Sequence, residues 1–243
     1  MNRRTDNVVD MSARRVALTT GIAMGVVLTL AACAIGKPLQ RPTTYIVDPP
    51  MTETRPAAAR RPDTLRMGNV RVAAAYRGNA LVYRMDEVQY TSDPYHAFKA
   101  EPGAMLGNRM AEWLDHAGPF ETVAQPGSAQ PAAYVLEATV IELYGDFREG
   151  RSPAAVLAVQ FGLIDQAGVR PLLLYERTIA SRVELPHASP DALVRGYGEA
   201  LAEILSQLIP DLGAVVAHDH RATSAVAGER PAREQAVPKD SRP

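Results

Sequence analysis

Few residues in this chain have the type and spacing to do covalent chemistry. The most telling is Cys33, the single cysteine. It follows Leu30, Ala31 and Ala32 at the end of a largely apolar run, Val16 to Ala32, which itself follows Arg14 and Arg15. Basic residues, an apolar stretch and then small residues make a secretory signal sequence. A thiol at that point is a far better nucleophile for thioether formation than a hydroxyl. With one cysteine, neither a Cys-x-x-Cys motif nor an internal disulfide can form.

The other reactive residue types fall in uninformative places. The histidines are His96, His116, His187, His218 and His220. His218-Asp219-His220 has the residue types of a metal site, but it opens a polar tail and reads as solvated chain. His116 follows Asp115 at a helix end, where a cation is favourable. Gly127-Ser128-Ala129 lies in a loop, and the chain has no Gly-x-Ser-x-Gly, Gly-x-Gly-x-x-Gly or Gly-Lys-Ser/Thr run. Asp86-Glu87 and the pair Glu176 and Glu184 are carboxylates on the solvated faces of strands. No catalytic residue, metal site or cofactor is assigned.

Leu30-Ala31-Ala32-Cys33 resembles the bacterial lipobox. That resemblance implies a diacylglycerol on the Cys33 thiol, cleavage before it, and an acyl chain such as palmitate on the new amino terminus. Each buried CH₂ adds about 0.8 kcal/mol of membrane affinity, so several acyl chains hold firmly. Two alternatives stand beside this. An uncleaved transmembrane helix would be short for a span of about 20 residues, and Gly21 and Gly25 weaken it. A plain secretory signal would leave the thiol free. Met11 serves as well as Met1 as a start, and Val16-Ala17-Leu18 after Arg14-Arg15 fits a twin-arginine signal poorly.

The rest of the chain must fold without a disulfide. Its 47% hydrophobic content is enough for a core. The net charge is −1 and no basic run is interleaved with aromatics, so nucleic-acid binding is excluded as a reading. No second stretch is expected to span a membrane. Residues 1–32 form the signal peptide. Residues 33–63 form a lipidated, proline-rich tether in which Pro38, Pro42, Pro49, Pro50, Pro56 and Pro62 forbid a long helix. Thr43 to Val47 is a β-prone piece within it, suited to an edge strand. Residues 64–212 form the domain, and 213–243 a polar, disordered tail.

Within the domain, Leu65 to Ala75 and Ala80 to Tyr90 read as strands around an Arg77-Gly78-Asn79 turn. Tyr95 to Pro102 reads as a linker into a helix from Glu101 to Ala117, whose stripe is Leu106, Met110, Trp113, Leu114 and Ala117. Gly118-Pro119 ends it, and Phe120 to Val123 is a short strand. Three long strands follow: Ala133 to Phe147, Ala154 to Asp165 and Leu172 to Leu185. Ser189-Pro190-Asp191 caps a last helix striped by Leu193, Tyr197, Leu201, Ile204, Leu205 and Leu208, which Pro210 ends. Two helices with one apolar face each call for an α+β fold, a mixed or antiparallel sheet with both helices on one face. The other sheet face is left to solvent or a partner, and the almost entirely apolar Ala154 to Asp165 implies that something partly covers it.

An ordered set of features resembles one family, the auxiliary lipoprotein component of ABC-type transport systems. These are the Pqi-type lipoproteins that accompany MCE-domain lipid transporters. The set is Cys33, Tyr45-Ile46-Val47, Val70-Arg71-Val72, Leu81-Val82-Tyr83-Arg84, Tyr90, Phe98-Lys99-Ala100-Glu101-Pro102, and Leu114 to Phe120, followed by the strand meander and last helix. It departs from the family in having Phe98 where Trp is common, and in its longer tail. The resemblance implies a non-enzymatic lipoprotein facing the periplasm, with MCE and ABC transporter proteins as partners and a lipid or hydrophobic molecule as cargo. Ala34 in place of aspartate points to the outer membrane. A homo-oligomer remains open. The alternative is an outer-membrane assembly or secretion accessory lipoprotein. Tyr83, Tyr95 and Phe98 are the candidate contacts for partner or lipid, since aromatic anchors dominate binding energetics. The competing role for the Tyr95 to Phe98 aromatics is to seat the first helix.

Overall fold

The computed structural model describes residues 41–51 and 60–228, with side chains as far as Asp219. The signal sequence, Cys33 and the last residues of the tail lie outside the described residues. One sheet of nine strands carries the fold: β1 (Thr43–Tyr45), β2 (Arg61–Met67), β3 (Arg71–Val72), β4 (Ala80–Arg84), β5 (Tyr90–Phe98), β6 (Phe120–Ala124), β7 (Tyr134–Asp146), β8 (Ala154–Asp165) and β9 (Leu172–Glu184). Two helices cover one face, α1 (Pro102–Ala117) and α2 (Pro190–Gly228).

The 13-residue β7 is the spine. On one side it pairs antiparallel with β8, and β8 pairs with β9, the meander expected from three consecutive β-prone runs. On the other side it is joined in turn by β2, β3 and β4, all parallel. The sheet is therefore mixed. Tyr134, Leu136, Ala138 and Val140 of β7 point to the helices and are buried. So are Leu157, Val159, Phe161 and Leu163 of β8. They form one core with Leu106, Trp113 and Leu114 of α1 and Tyr197, Leu201 and Leu205 of α2.

Both helix starts are capped, the second by the serine that the sequence nominates and the first by a glutamate that it does not. The Glu101 carboxylate accepts the Ala104 N–H at 2.9 Å, with Pro102 in the first turn. The Ser189 hydroxyl accepts the Ala192 N–H at 3.3 Å. Each satisfies a donor that the helix itself leaves unpaired.

The fold departs from the sequence reading at several places. Leu65 to Ala75 is not one strand. β2 begins at Arg61 and ends at Met67, Gly68 turns under the Leu136 carbonyl (2.9 Å), and β3 resumes the pairing with β7. Residues Ala74–Tyr76 then form a single 3₁₀ turn. Ala80 to Tyr90 is not one strand either, because Met85 to Gln89 is a hairpin tip closed by the Met85 N–H on the Gln89 carbonyl. The expected linker at Tyr95 to Phe98 is the second half of β5. Polar residues and Pro94 hid its alternation; Ala97 pairs with Ala80 of β4 on one side, and the short edge strand β1 covers the other.

The last helix does not stop at Pro210, and the residues after 212 do not begin a disordered tail. The helix continues to Gly228. Proline removes one backbone donor. Against that loss, Leu208, Leu212 and Val216 recur every fourth residue and are fully buried. With this extension, Pro190–Asp219 is long and apolar enough by composition to cross a membrane, contrary to the expectation of no second such stretch. It lies against β8 and β9 as a core helix.

The proline-rich stretch also joins the domain earlier than its composition suggests. β1 pairs in parallel with β5 at the sheet edge, Thr43 opposite His96 and Tyr45 opposite Phe98. Beyond it Val47 is fully buried, and its N–H donates to Met105 Sδ on α1 at 3.5 Å. A Cβ on Gly198 would sit 2.6 Å from the Asp48 carbonyl, so glycine there lets this segment lie on α2.

Candidate functional site

The helices leave the second face of the sheet open, and its most distinctive part is aromatic. On that face β4 presents Val82 and Arg84, β5 presents Tyr90, β7 presents Tyr144, and β8 presents Val156. Val82, Tyr144 and Val156 form a small buried cluster of their own, with Tyr76 of the 3₁₀ turn packed on it. Tyr76 stacks on Tyr144 at 6.1 Å and 25°, while Tyr90 meets Tyr144 edge-on at 5.5 Å and 86°. The Arg84 guanidinium lies over the Tyr90 ring at 5.7 Å, within the range of a cation–π contact. Burial pushes the Tyr76 hydroxyl up to about 12, so it stays a neutral donor at physiological pH.

A charged cluster borders these aromatics. Asp146, at the end of β7, is buried, and Arg148 grips its carboxylate with two bonds of 2.8 Å. Arg182 of β9 adds a third at 2.9 Å. Hydrogen bonds from Arg148 pull the Asp146 carboxyl down to about 2, against the opposing effect of burial. Arg148 also bridges to Glu87 in the β4–β5 tip at 2.6 Å, and Arg84 meets the same carboxylate at 3.1 Å. The tip is thus tied to the β7–β8 turn. Toward the other end of the face, a shallow hollow of about 200 Å³ lies around Gly162, lined by Arg71, Glu137, Gln160 and Glu176.

The three aromatics named from sequence do not form one surface. Phe98 is a core residue, 3% exposed and 6.1 Å from the Tyr197 ring, so it is withdrawn as a contact. Tyr83 faces the helix side, stacked on Phe147 at 5.0 Å, with its hydroxyl donating to Asp93 at 2.7 Å. Burial and Asp93 raise its pKa well above the ordinary tyrosine value. Tyr95 alone is exposed. It sits in a bulge built by Asp93, whose Oδ1 accepts the N–H of Tyr95 and of His96 while Oδ2 meets His96 Nδ1 at 2.7 Å. The residues that do line the open face, Tyr76, Tyr90 and Tyr144, were visible only as alternation. Tyr144 lies between Glu142 and Asp146 on a side that polar neighbours mark as solvated.

The His218-Asp219 stretch is on α2, where Asp219 Oδ2 accepts the Tyr134 hydroxyl at 3.1 Å. Among the described residues no group of three or more His, Cys, Asp or Glu is placed to hold a metal ion. What the arrangement offers is an aromatic patch bordered by an ion-paired cluster of Arg84, Arg148 and Arg182 with Glu87 and Asp146.

The described residues thus form an α+β domain with two helices on one face of a mixed sheet and the other face open. The chain belongs to the family of ABC-type transport auxiliary lipoprotein components, whose model matches residues 45–208. That span includes all of the sheet from Tyr45 on and both helices up to Leu208. Solved structures share the fold. A protein of Xanthomonas campestris matches with a TM-score of 0.61 at 16% identity, over 75% of this chain and 98% of that one. A second, described as an uncharacterized protein, matches at 0.54 and 17% identity, over 71% and 99%. No curated protein matches the chain.

Proposed function

We propose that this chain is a non-enzymatic, membrane-anchored subunit of an MCE-associated ABC transport system that moves lipids or other hydrophobic molecules across the bacterial envelope. Diacylglycerol and palmitate on Cys33 hold it to the outer membrane, and the domain faces the periplasm. The observation that carries this reading is the family match, which spans the folded unit rather than a fragment of it. The leader ending in Leu30-Ala31-Ala32-Cys33 supports the anchor, and Ala34 supports the outer membrane. The open face, where the exposed Tyr90 is backed by Tyr144 and Tyr76, gives a transporter protein or its cargo something to bind, because an aromatic residue supplies large contact area at low entropic cost.

The test is capture of the full-length lipoprotein from envelope membranes through a photo-crosslinking residue at Tyr90. Proteins and lipids in the crosslinked product are then identified by mass spectrometry. An MCE-domain protein or an ABC permease is the expected product. Recovery of outer-membrane assembly or secretion components in their place would overturn the transport reading in favour of the alternative.

A further inference from the structure

We infer that the tip of the β4–β5 hairpin, Met85 to Gln89, touches the lipid surface and acts as a second, non-covalent membrane contact beside the lipid anchor. This rests on the reading of Cys33 as acylated. Two independent features of the fold lead to it.

The first is the direction from which the anchored chain arrives. β1 runs parallel to β5, with Thr43 opposite His96 and Tyr45 opposite Phe98. Going back from Thr43, the chain therefore heads toward the start of β5, where Tyr90 and the hairpin tip lie. Because β5 bulges at Asp93 to His96, the distance is read on β4, where Ala97 is opposite Ala80 and Tyr90 is opposite Arg84: four steps, about 13 Å. Only residues 34–42 separate Cys33 from Thr43. A chain that short spans at most ~35 Å when fully extended. The tip is therefore closer to Thr43 than the length of chain between Cys33 and Thr43.

The second is what the tip displays. Val88 is 90% exposed, and Met85, Tyr90 and Tyr95 are exposed beside it. Aliphatic residues at an apex with tyrosines behind them match the chemistry of a membrane interface, where aromatic rings sit at headgroup level. Of the two acidic residues in the tip, Glu87 has its charge offset by Arg84, Arg148 and Arg151. Asp86 turns its carboxylate back onto the Glu87 N–H at 2.7 Å. These ties also stiffen the tip.

The molecule contains its own control. Val169, Leu172 and Leu173 are also exposed, at the β8–β9 turn. That turn lies at the Tyr134 end of β7, since Tyr134 pairs with Asp165, whereas the β4–β5 tip lies at the Asp146 end, since Asp146 pairs with Arg84. Twelve steps along β7 put about 40 Å between the two ends. A membrane met end-on at the Asp146 end therefore leaves the β8–β9 turn in water.

The experiment uses the full-length lipidated protein in vesicles of phosphatidylethanolamine and phosphatidylglycerol. A polarity-sensitive fluorophore is attached at Val88→Cys or, separately, at Val169→Cys, and quenching by lipids with spin-labelled acyl chains is measured. Both sites are fully at the surface, so neither change disturbs the core, and Trp113 emission reports that the fold is intact. Quenching several-fold stronger at position 88 than at 169 is expected. Equal quenching, or none at 88, overturns the tip contact. The mass of the peptide holding Cys33 is read on the same sample. An acylated peptide with an unquenched tip sinks the tip contact alone, while an unmodified Cys33 sinks the anchor reading and this inference with it.

Discussion

Asp146 and Arg148 stand two residues apart at the end of β7 and form a two-pronged ion pair, Nε to Oδ1 and Nη2 to Oδ2, both at 2.8 Å. The carboxylate is 2% exposed, and Arg182 approaches it from β9 at 2.9 Å. One buried charge thus joins the β7–β8 turn to the sheet edge, and through Glu87 to the hairpin tip.

This pair makes stability depend on acid pH. The Asp146 carboxyl lies at about 2 in the folded chain and near 3.8 without its partners. A depressed carboxylate contributes stability that is complete above about pH 4 and is lost as pH falls through about 2. Arg182 is well exposed, so solvent screening reduces the effect, and roughly 1–2 kcal/mol is expected. Asp146→Asn should lower the melting temperature at neutral pH and flatten the acid limb of the stability curve. Thermal melts of both chains across that range check it.

Truncation should distinguish the two halves of the tail. Removing residues 229–243 takes away mostly polar chain, and the melting temperature should hold. Removing everything after Leu212 deletes Val216, which is fully buried, and the Asp219 partner of Tyr134. That loss should cost roughly 2–4 kcal/mol. Denaturant titration of the two truncated chains measures the difference. Equal stability would show that the helix beyond Pro210 does not hold the sheet.

Trp113 and Leu205 face the same core from the two helices. Truncating either to Ala should cost about 2–5 kcal/mol, with Trp113 at the upper end. Urea midpoints provide the comparison.

Phe98 and Tyr90 should behave in opposite ways. Phe98→Ala empties a core position beside Tyr197 and should destabilise by about 3–5 kcal/mol. Tyr90→Ala changes an exposed ring on the open face and should leave the melt nearly unchanged while weakening crosslinked capture of the transporter. If the Tyr90 change unfolds the domain and leaves capture intact, the open face is not the contact surface.

Cys33→Ser should abolish incorporation of a palmitate analogue and leave the precursor uncut, since a hydroxyl is the poorer nucleophile. Metabolic labelling of cells expressing either chain tests this. Equal label in both would refute acylation at Cys33.

Much of this protein is determined locally and can be read along the chain. The stripes of α1 and of the first half of α2, the cap Ser189, and the three long strands all depend on residues close in sequence. Their signals are periodic apolar spacing and a polar atom placed to accept an unpaired N–H. Local order also sufficed for the fold class, because two one-faced helices need a sheet to cover. What only the tertiary structure decided involves partners far apart in sequence. β2 and β3 separate because both must pair in succession with one side of β7. Phe98 goes to the core because β5 brings it against Tyr197, a residue almost a hundred positions on. The helix passes Pro210 because β8 and β9 extend far enough to bury Leu212 and Val216, a gain greater than one missing hydrogen bond. The aromatic cluster arises from Tyr76, Tyr90 and Tyr144 on separate elements. No window along the chain holds all three, so only the pairing of β4, β5 and β7 could bring them together.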